Sequence, residues 1–124
     1  MLAVGCDIVS VARIVAVADK HGDRFLKRCF RPDELTLAES RGSRAAETLA
    51  SRWAAKEAFV KALGEAATGV PYRDVEVVRG NTAVPELKLH GQAKIAFDAT
   101  GAAGVLLSLS HEREHAMAVV ILTV

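Results

Sequence analysis

Larger and smaller side chains alternate over residues 2–8 of the apolar opening segment, "MLAVGCDIV", which predicts a β-strand. The larger side chains share one face of this strand (Leu2, Val4, Cys6 and Ile8), while Ala3, Gly5 and Asp7 share the other. Ser10 then predicts the N-cap of a helix over 11–22, which His21-Gly22 ends. Residues 23–30 predict a short helical turn, and Pro32 suits the first position of a helix over 32–41.

A long helix is predicted from about Arg44 to Leu63, after a break at Gly42-Ser43 and before Gly64. Its large apolar residues share one face: Leu49, Trp53, Val60 and Leu63. After the long helix, the sequence predicts a loop over 64–71 and two strands, 74–78 and 85–90, joined by a turn over 79–84. A helix is predicted over 91–99, and a hairpin over 104–124 with its turn at 111–114. Strands and helices do not alternate regularly, so we predict the α+β class.

Length and composition limit the class of protein. The 124 residues, 51% of them hydrophobic, suffice for one compact domain, 1–124, with a single core. Sixteen basic and fifteen acidic residues nearly cancel, which favours neither a nucleic-acid binder nor a membrane-surface protein. No stretch approaches the roughly 20 apolar residues of a membrane span. The spacing of Cys6 and Cys29 is not that of a metal site or a redox motif, and no secretory signal precedes them. We therefore expect both thiols to be reduced and largely buried. We expect the protein to be soluble and cytoplasmic.

The long helix carries two charged residues, Glu57 and Lys61, among its apolar ones. They lie on its flank, in line with Ala50 and Ala54. A glutamate four residues before a lysine stabilises a surface helix, and spacing alone favours this structural interpretation. The small alanines, however, leave room for a ligand or another segment to approach the same flank.

Asp7 follows apolar residues at the end of the first strand, where it is either a turn residue or part of a site. Asp7 and Glu57 together offer two oxygen ligands for Mg²⁺, which is usually held by one or two carboxylates and by substrate phosphates. His111, beside Ser110 at a strand end, taken alone is interpreted as a solvated turn residue. The basic residues of 24–31 form either a solvated face or a surface for an acidic partner.

No nucleophile elbow, P-loop, Rossmann glycine pattern or zinc spacing occurs in the sequence. Three motifs in order, however, resemble holo-acyl carrier protein synthase, the small stand-alone type of 4′-phosphopantetheinyl transferase. They are "VGCDIV" at 4–9, "RWAAKEAFVKALG" at 52–64 and "SLSHE…AMAVV" at 108–120. The resemblance covers essentially the whole chain, and the middle motif is the most specific of the three.

The resemblance implies transfer of the phosphopantetheine arm of coenzyme A to a serine of apo-acyl carrier protein, with release of adenosine 3′,5′-bisphosphate. Asp7 and Glu57 match Mg²⁺ ligands, and Lys61 matches a lysine that contacts the coenzyme A phosphates. Further residues are assigned to the nucleotide or coenzyme A (Arg52, Lys56, Ser110 and His111). Arg13 matches an arginine of the first helix that meets the acidic carrier protein, and Arg24, Lys27 and Arg28 are expected as further contacts with it.

This resemblance gives the charges of the long helix a chemical role. Mg²⁺ on Asp7 and Glu57 would clamp the pyrophosphate, and Lys61 would stabilise charge on the leaving phosphate. The carrier protein supplies the nucleophile, and either Glu57 or a metal-bound water takes its proton. A homotrimer with active sites between subunits is also implied. The segment "NTAVPELKL" lacks the glycine that many relatives have two residues before the proline, which leaves the geometry of the 79–90 hairpin open.

Two other functions are compatible with parts of the pattern. The first is a non-enzymatic adaptor that binds an acidic partner through 24–31, with the mid-helix charges purely structural. The second is another Mg²⁺-dependent enzyme of nucleotide or phosphate esters, with water as its nucleophile. Neither explains three motifs in this order.

Overall fold

The computed structural model describes residues 2–79 and 84–124. Its strands are β1 (Ala3–Ser10), β2 (Val75–Arg79), β3 (Pro85–Leu89), β4 (Gly104–His111) and β5 (His115–Thr123). Its helices are α1 (Val11–Cys29), α2 (Pro32–Ser40), α3 (Ala45–Leu63) and α4 (Gly91–Ala99), with short 3₁₀ turns at Gly42–Arg44, Gly64–Ala67 and Tyr72–Asp74. The predicted α+β class is confirmed.

The strands form two antiparallel sheets. One has the order β1-β5-β4, and its register places Asp7 opposite Ala118 and Ser110 opposite Met117. The other pairs β2 with β3, which confirms the predicted hairpin. Its predicted turn, 79–84, falls largely on 80–83, which lie outside the described residues.

Local signals mark the helix ends as predicted. The Ser10 hydroxyl accepts the Arg13 N–H at 3.4 Å and caps α1. The backbone leaves the helical conformation at Gly22 (φ 61°, ψ −149°), so α1 is interrupted where its first segment was predicted to end. Pro32 occupies the first turn of α2. Within the described residues, no helix combines the length and the apolarity needed to cross a membrane.

Helix α3 packs against the three-stranded sheet at very short distance. A Cβ atom placed on Gly5 would lie 2.0 Å from the Ala58 carbonyl oxygen, so a larger residue does not fit at this crossing. Ala54, Ala58 and Ala62 are buried here. The contact therefore depends on small residues in both elements, and it brings the backbone of β1 against α3.

The face of α3 that carries its large apolar residues is not its most buried side. Leu63 is buried, but Leu49, Trp53 and Val60 are only partly buried, whereas the helix is buried on several other sides, mainly through alanines and Phe59. The physical reason is that α3 packs against the sheet and also against α1 and α2, so the buried sides are those where the backbones come close.

Val4 and Ile8 of β1 point away from α3, whereas Val9 is buried. Val4 and Ile8 belong to an exposed apolar patch, the outer sheet face, which Leu106 and Met117 complete. Cys6 lies on the same side of β1 and is exposed, so the prediction of two buried cysteines is wrong for this residue. Cys29 is buried, and both thiols are free as predicted.

Candidate active site

Asp7 and Lys61 meet where β1 crosses α3. Lys61 Nζ lies 3.1 Å from Asp7 Oδ1 and 3.1 Å from the Cys6 carbonyl oxygen. The hydrogen bond and the charge of Asp7 raise the pKa of the Lys61 ammonium group, with a smaller contribution from Glu57. The close approach at Gly5 thus brings together residues that lie far apart in sequence.

The two oxygens of the Asp7 carboxylate have different surroundings. Oδ1 accepts from Lys61, whereas Oδ2 is buried and has no hydrogen-bond partner among the described residues. A buried carboxylate oxygen without a donor is costly to desolvate. Asp7 therefore has an open coordination position close to α3.

Tyr72 joins this group from the 3₁₀ turn before β2, and the sequence analysis missed it. Burial raises the pKa of its hydroxyl, and the nearby carboxylates of Glu57 and Asp7 raise it further. Its ring packs edge-on against Trp53, with ring centroids 4.9 Å apart. Tyr72 lies in a loop without periodicity, so the pattern of the sequence held no signal for it.

Four arginines from separate segments surround a cavity of about 220 Å³, which we call the arginine pocket: Arg41, Arg44, Arg52 and Arg79. His111 also lines it, and its Nδ1 lies 3.3 Å from Glu47 Oε1. A concentration of guanidinium groups is suited to phosphate, which they bind in bidentate geometry.

Arg52 is the most buried of these arginines. Its Nη1 donates to Ser51 Oγ at 3.0 Å, and its Nε is buried without a partner among the described residues. Burial also lowers the pKa of its guanidinium group. An unpartnered buried donor in a basic cavity marks a position for an anion.

The sequence analysis selected Arg52 and His111 for this region but missed Arg41, Arg44 and Arg79. Arg44 precedes the first turn of α3, where a positive charge opposes the helix dipole. Glu47 Oε2 lies 3.8 Å from Arg44 Nε and offsets this charge, so the sequence held no separate signal for these arginines.

Lys56 is placed differently from the prediction. Its side chain is fully buried, and Nζ donates to Glu34 Oε1 at 2.9 Å, to the Tyr72 carbonyl at 3.1 Å and to the Val75 carbonyl at 2.5 Å. All three donor positions of the ammonium group are used. The structure therefore contradicts a contact between Lys56 and coenzyme A and gives this residue a structural role in the core.

Ser110 and His111 are neighbours in β4 but differ in their relation to the arginine pocket. Both line a cavity beside Ile8 and Met117, whereas His111 also lines the arginine pocket and Ser110 does not. The structure does not bring Ser110 together with Arg52.

The predicted partner-binding residues surround α1. Arg24 and Arg28 line a cleft of about 490 Å³, together with Lys20, His21 and the ring of Phe25. The sequence analysis had not assigned Lys20 or His21 a role, although the charge of Lys20 adds to that of 24–28.

The remaining two partner-binding candidates lie elsewhere on α1. Lys27 lines a separate, more apolar cavity with Leu26 and Leu35. Arg13 is exposed in the first turn of the helix. The four candidates therefore do not share one cavity.

Three ligand-type side chains also meet in the β4–β5 turn, at Glu112, Glu114 and His115. They are exposed and separate from the predicted metal pair, and we assign them no role.

Comparison with known proteins gives one consistent result. A family model described as the 4′-phosphopantetheinyl transferase superfamily matches residues 3–120. The holo-[acyl-carrier-protein] synthase of Halorhodospira halophila is 46% identical over 120 residues, which cover 96% of this chain and 94% of the relative.

Solved structures agree with the sequence relatives. The crystal structure of holo-[acyl-carrier-protein] synthase from Neisseria meningitidis superposes with a TM-score of 0.83 at 31% identity, covering 97% of this chain and 96% of the other. The enzyme of the same name from Bacillus anthracis, crystallised with CoA (3′,5′-ADP), gives a TM-score of 0.77 at 33% identity, covering 98% and 95% of the two chains.

Proposed function

Because the chain belongs to the 4′-phosphopantetheinyl transferase superfamily, we propose that it is a holo-[acyl-carrier-protein] synthase. It transfers the 4′-phosphopantetheine arm of coenzyme A to a serine of apo-acyl carrier protein and releases adenosine 3′,5′-bisphosphate. Residues 1–124 act as one transferase domain. The observation that carries this proposal is the meeting of Asp7 with Lys61 beside Glu57, on a chain that also has an arginine pocket.

Coenzyme A is the donor, and its nucleotide phosphates bind in the arginine pocket. The Bacillus anthracis relative was crystallised with this ligand, and the pocket here offers four guanidinium groups. Arg52 has a buried Nε free to donate, and His111 lies at the rim. Charge-assisted hydrogen bonds from arginine to phosphate are among the strongest that a protein makes.

Asp7 and Glu57 fit a divalent cation. The buried Oδ2 of Asp7 has no partner among the described residues, and hard oxygen donors of this type are those that Mg²⁺ prefers. When bound, Mg²⁺ would supply charge neutralisation for the pyrophosphate of the donor.

The chain's own residues then serve a substitution at phosphorus. The serine oxygen of the carrier protein forms a bond to the β-phosphorus of coenzyme A, and the bond from that phosphorus to the bridging oxygen breaks. Lys61 stabilises the negative charge that develops on the departing phosphate. Glu57 accepts the serine proton, since the chain supplies no nucleophile of its own and the partner's hydroxyl must be deprotonated.

The carrier protein docks on α1, where Arg24 and Arg28 line a basic cleft and Arg13 lies exposed nearer the start of the helix. Lys27 extends the basic surface around the helix. Complementary charge steers an acidic partner and sets its orientation.

We further infer a homotrimer that works in the cytoplasm. The outer sheet face leaves Val4, Ile8 and Leu106 more than half exposed, and such an apolar patch favours contact between subunits. Two free thiols suit a reducing compartment. Analytical ultracentrifugation tests the assembly: Ile8→Glu should shift the trimer to monomer, whereas an unchanged mass would exclude this face as the interface.

The transferase is tested by intact mass of apo-acyl carrier protein after incubation with the protein, coenzyme A and Mg²⁺. We expect a gain of one phosphopantetheine unit, abolished by EDTA and by Glu57→Gln, and unaffected by the exposed control Glu65→Gln.

The failures of this experiment separate the alternatives. Transfer that survives Glu57→Gln would leave the activity and overturn the site. Breakdown of coenzyme A without any carrier would identify a hydrolase. No gain with several carriers, from a folded protein, would favour the adaptor.

A further inference from the structure

We propose that Lys61 is a built-in counter-cation of the metal site. In the metal-free protein its ammonium group pairs with Asp7 Oδ1, and its positive charge opposes a divalent cation that binds the same carboxylate through Oδ2. This inference rests on the proposed function, which assigns Asp7 and Glu57 as the metal ligands. It adds a property that neither the proposed reaction nor the family resemblance requires, namely competition between a side chain and the metal.

The contacts of Asp7 are the first step of the argument. Its side chain is 13% exposed, and the donor that reaches it is Lys61 Nζ, 3.1 Å from Oδ1. Oδ2 is buried and without a partner among the described residues. A carboxylate this poorly hydrated requires a nearby positive charge, and in the metal-free protein Lys61 supplies it.

The second step is that Lys61 can leave without disturbing the core. Its side chain is 54% exposed, and its other acceptor is the Cys6 carbonyl at 3.1 Å. A lysine carries its charge on a flexible four-carbon stem and is strongly hydrated in water. The ammonium group can therefore exchange Asp7 for solvent or for a phosphate oxygen.

The third step is the charge that a cation meets. Asp7, Glu57 and Lys61 sum to a charge of −1, and removal of Lys61 leaves −2 on the same ligands. The ammonium group beside Asp7 repels a divalent cation in the native protein, so Lys61 lowers the intrinsic metal affinity of the free enzyme.

Direct binding of Mn²⁺, followed by the electron paramagnetic resonance of the free ion, tests this without coenzyme A or carrier protein. Lys61→Met should bind Mn²⁺ at least about 5-fold more tightly than the native protein, the lower end of typical coupling between two sites. Lys61→Arg, which keeps the charge, should match the native affinity within about twofold. Lys94→Met is the matched control, because Lys94 pairs with Asp98 at 2.6 Å on the surface of α4.

Equal or weaker Mn²⁺ binding by Lys61→Met would overturn the inference. Asp7→Asn tests whether Mn²⁺ binds at Asp7. If Asp7→Asn abolishes Mn²⁺ binding but Lys61→Met does not tighten it, the metal ligands stand and only the counter-cation role of Lys61 is overturned. If Asp7→Asn changes Mn²⁺ binding neither in the native protein nor in Lys61→Met, the proposed metal ligands are wrong, and the inference about Lys61 is wrong as well. The transfer assay on the native protein decides separately whether the activity holds. Circular dichroism checks folding, and Lys61→Gln replaces Lys61→Met if the latter does not fold.

Discussion

Lys56 and Lys61 belong to the same helix, and each faces a carboxylate at nearly the same distance. Lys56 Nζ lies 2.9 Å from Glu34 Oε1, and both side chains are fully buried; we call these two residues the buried pair. Lys61 Nζ lies 3.1 Å from Asp7 Oδ1, with most of the lysine in solvent; these form the surface pair. Distance does not distinguish the two ion pairs, so their surroundings must.

The buried pair is saturated with hydrogen bonds. Glu34 Oε1 accepts from the Arg31 N–H at 2.9 Å, and Oε2 accepts from the Val77 N–H at 3.1 Å. Lys56 uses all its donors, as described above. The surface pair leaves Asp7 Oδ2 without a partner among the described residues. A saturated pair holds elements together, whereas an unsaturated, accessible pair has capacity left for a ligand.

The pKa values of the two lysines also shift in opposite directions. Burial lowers the pKa of Lys56, although Glu34 opposes this shift. The hydrogen bond that Lys61 donates to Asp7 raises the pKa of Lys61. Desolvation thus dominates in the core, and the attraction between opposite charges dominates at the surface.

The largest effect should come from breaking the buried pair. Lys56→Met leaves Glu34 charged and buried, which typically costs about 3–5 kcal/mol of the free energy of unfolding. Urea unfolding followed by circular dichroism measures it. Lys61→Met, the same substitution at the surface pair, should lower the urea midpoint much less, because Asp7 is partly exposed to water, while it abolishes transfer.

Restoring an uncharged core is the control for this prediction. Glu34→Leu combined with Lys56→Met should recover only part of the lost stability, because it removes the unpaired charge but leaves backbone groups such as the Val75 carbonyl and the Val77 N–H without partners. A Lys56→Met variant as stable as the native protein would contradict the role given to the buried pair.

The next effect is expected at Gly5, which allows β1 to approach α3. Gly5→Ala places a methyl group against the Ala58 carbonyl and should cost about 1–3 kcal/mol, the range of overpacked cores. It should also reduce transfer, since it moves Asp7 away from Lys61. Gly104→Ala is the matched control, as its Cβ would meet only the rotatable Thr123 hydroxyl. Equal effects of the two substitutions on the melting temperature would contradict the close-packing argument.

A smaller effect is expected when one charge of the arginine pocket is removed, because these charges bind a ligand and do not stabilise the fold. Arg44→Gln should raise KM for coenzyme A about 10-fold, in line with the loss of one charge-assisted hydrogen bond. Steady-state kinetics measure this, and kcat and the urea midpoint should stay constant. Arg13→Gln should instead raise KM for the carrier protein. A change of the same KM in both variants would show that the two surfaces are not separate.

The smallest effect concerns the cysteine beside each pair. Burial raises the pKa of the Cys29 thiol, with Lys56 opposing the shift. The unfolded thiol ionises first, so this group contributes stability below a pH of about 9 that is lost as the pH rises through the raised folded value. Cys29→Ala should flatten the fall of the urea midpoint above that pH, whereas Cys6→Ala, at the exposed thiol, should not. Identical slopes in both variants would contradict this assignment.

The order of motifs along the sequence was sufficient to select Asp7, Glu57 and Lys61, and the family match supports the function that they imply. The same reasoning placed Lys56 at the ligand, because Lys56 and Lys61 lie in the same motif and have the same charge. What separates them is Glu34, 22 residues away in sequence, together with two backbone carbonyls. No local pattern contains that information.

The sequence by itself determined the local structure: the alternation of β1, the cap at Ser10, the break at Gly22 and the start of α2 at Pro32. The tertiary structure alone decided that β1 turns its larger side chains outward and that four arginines from separate segments surround one cavity. The physical reason is that periodicity shows which residues share a face, whereas burial depends on the element that packs against that face.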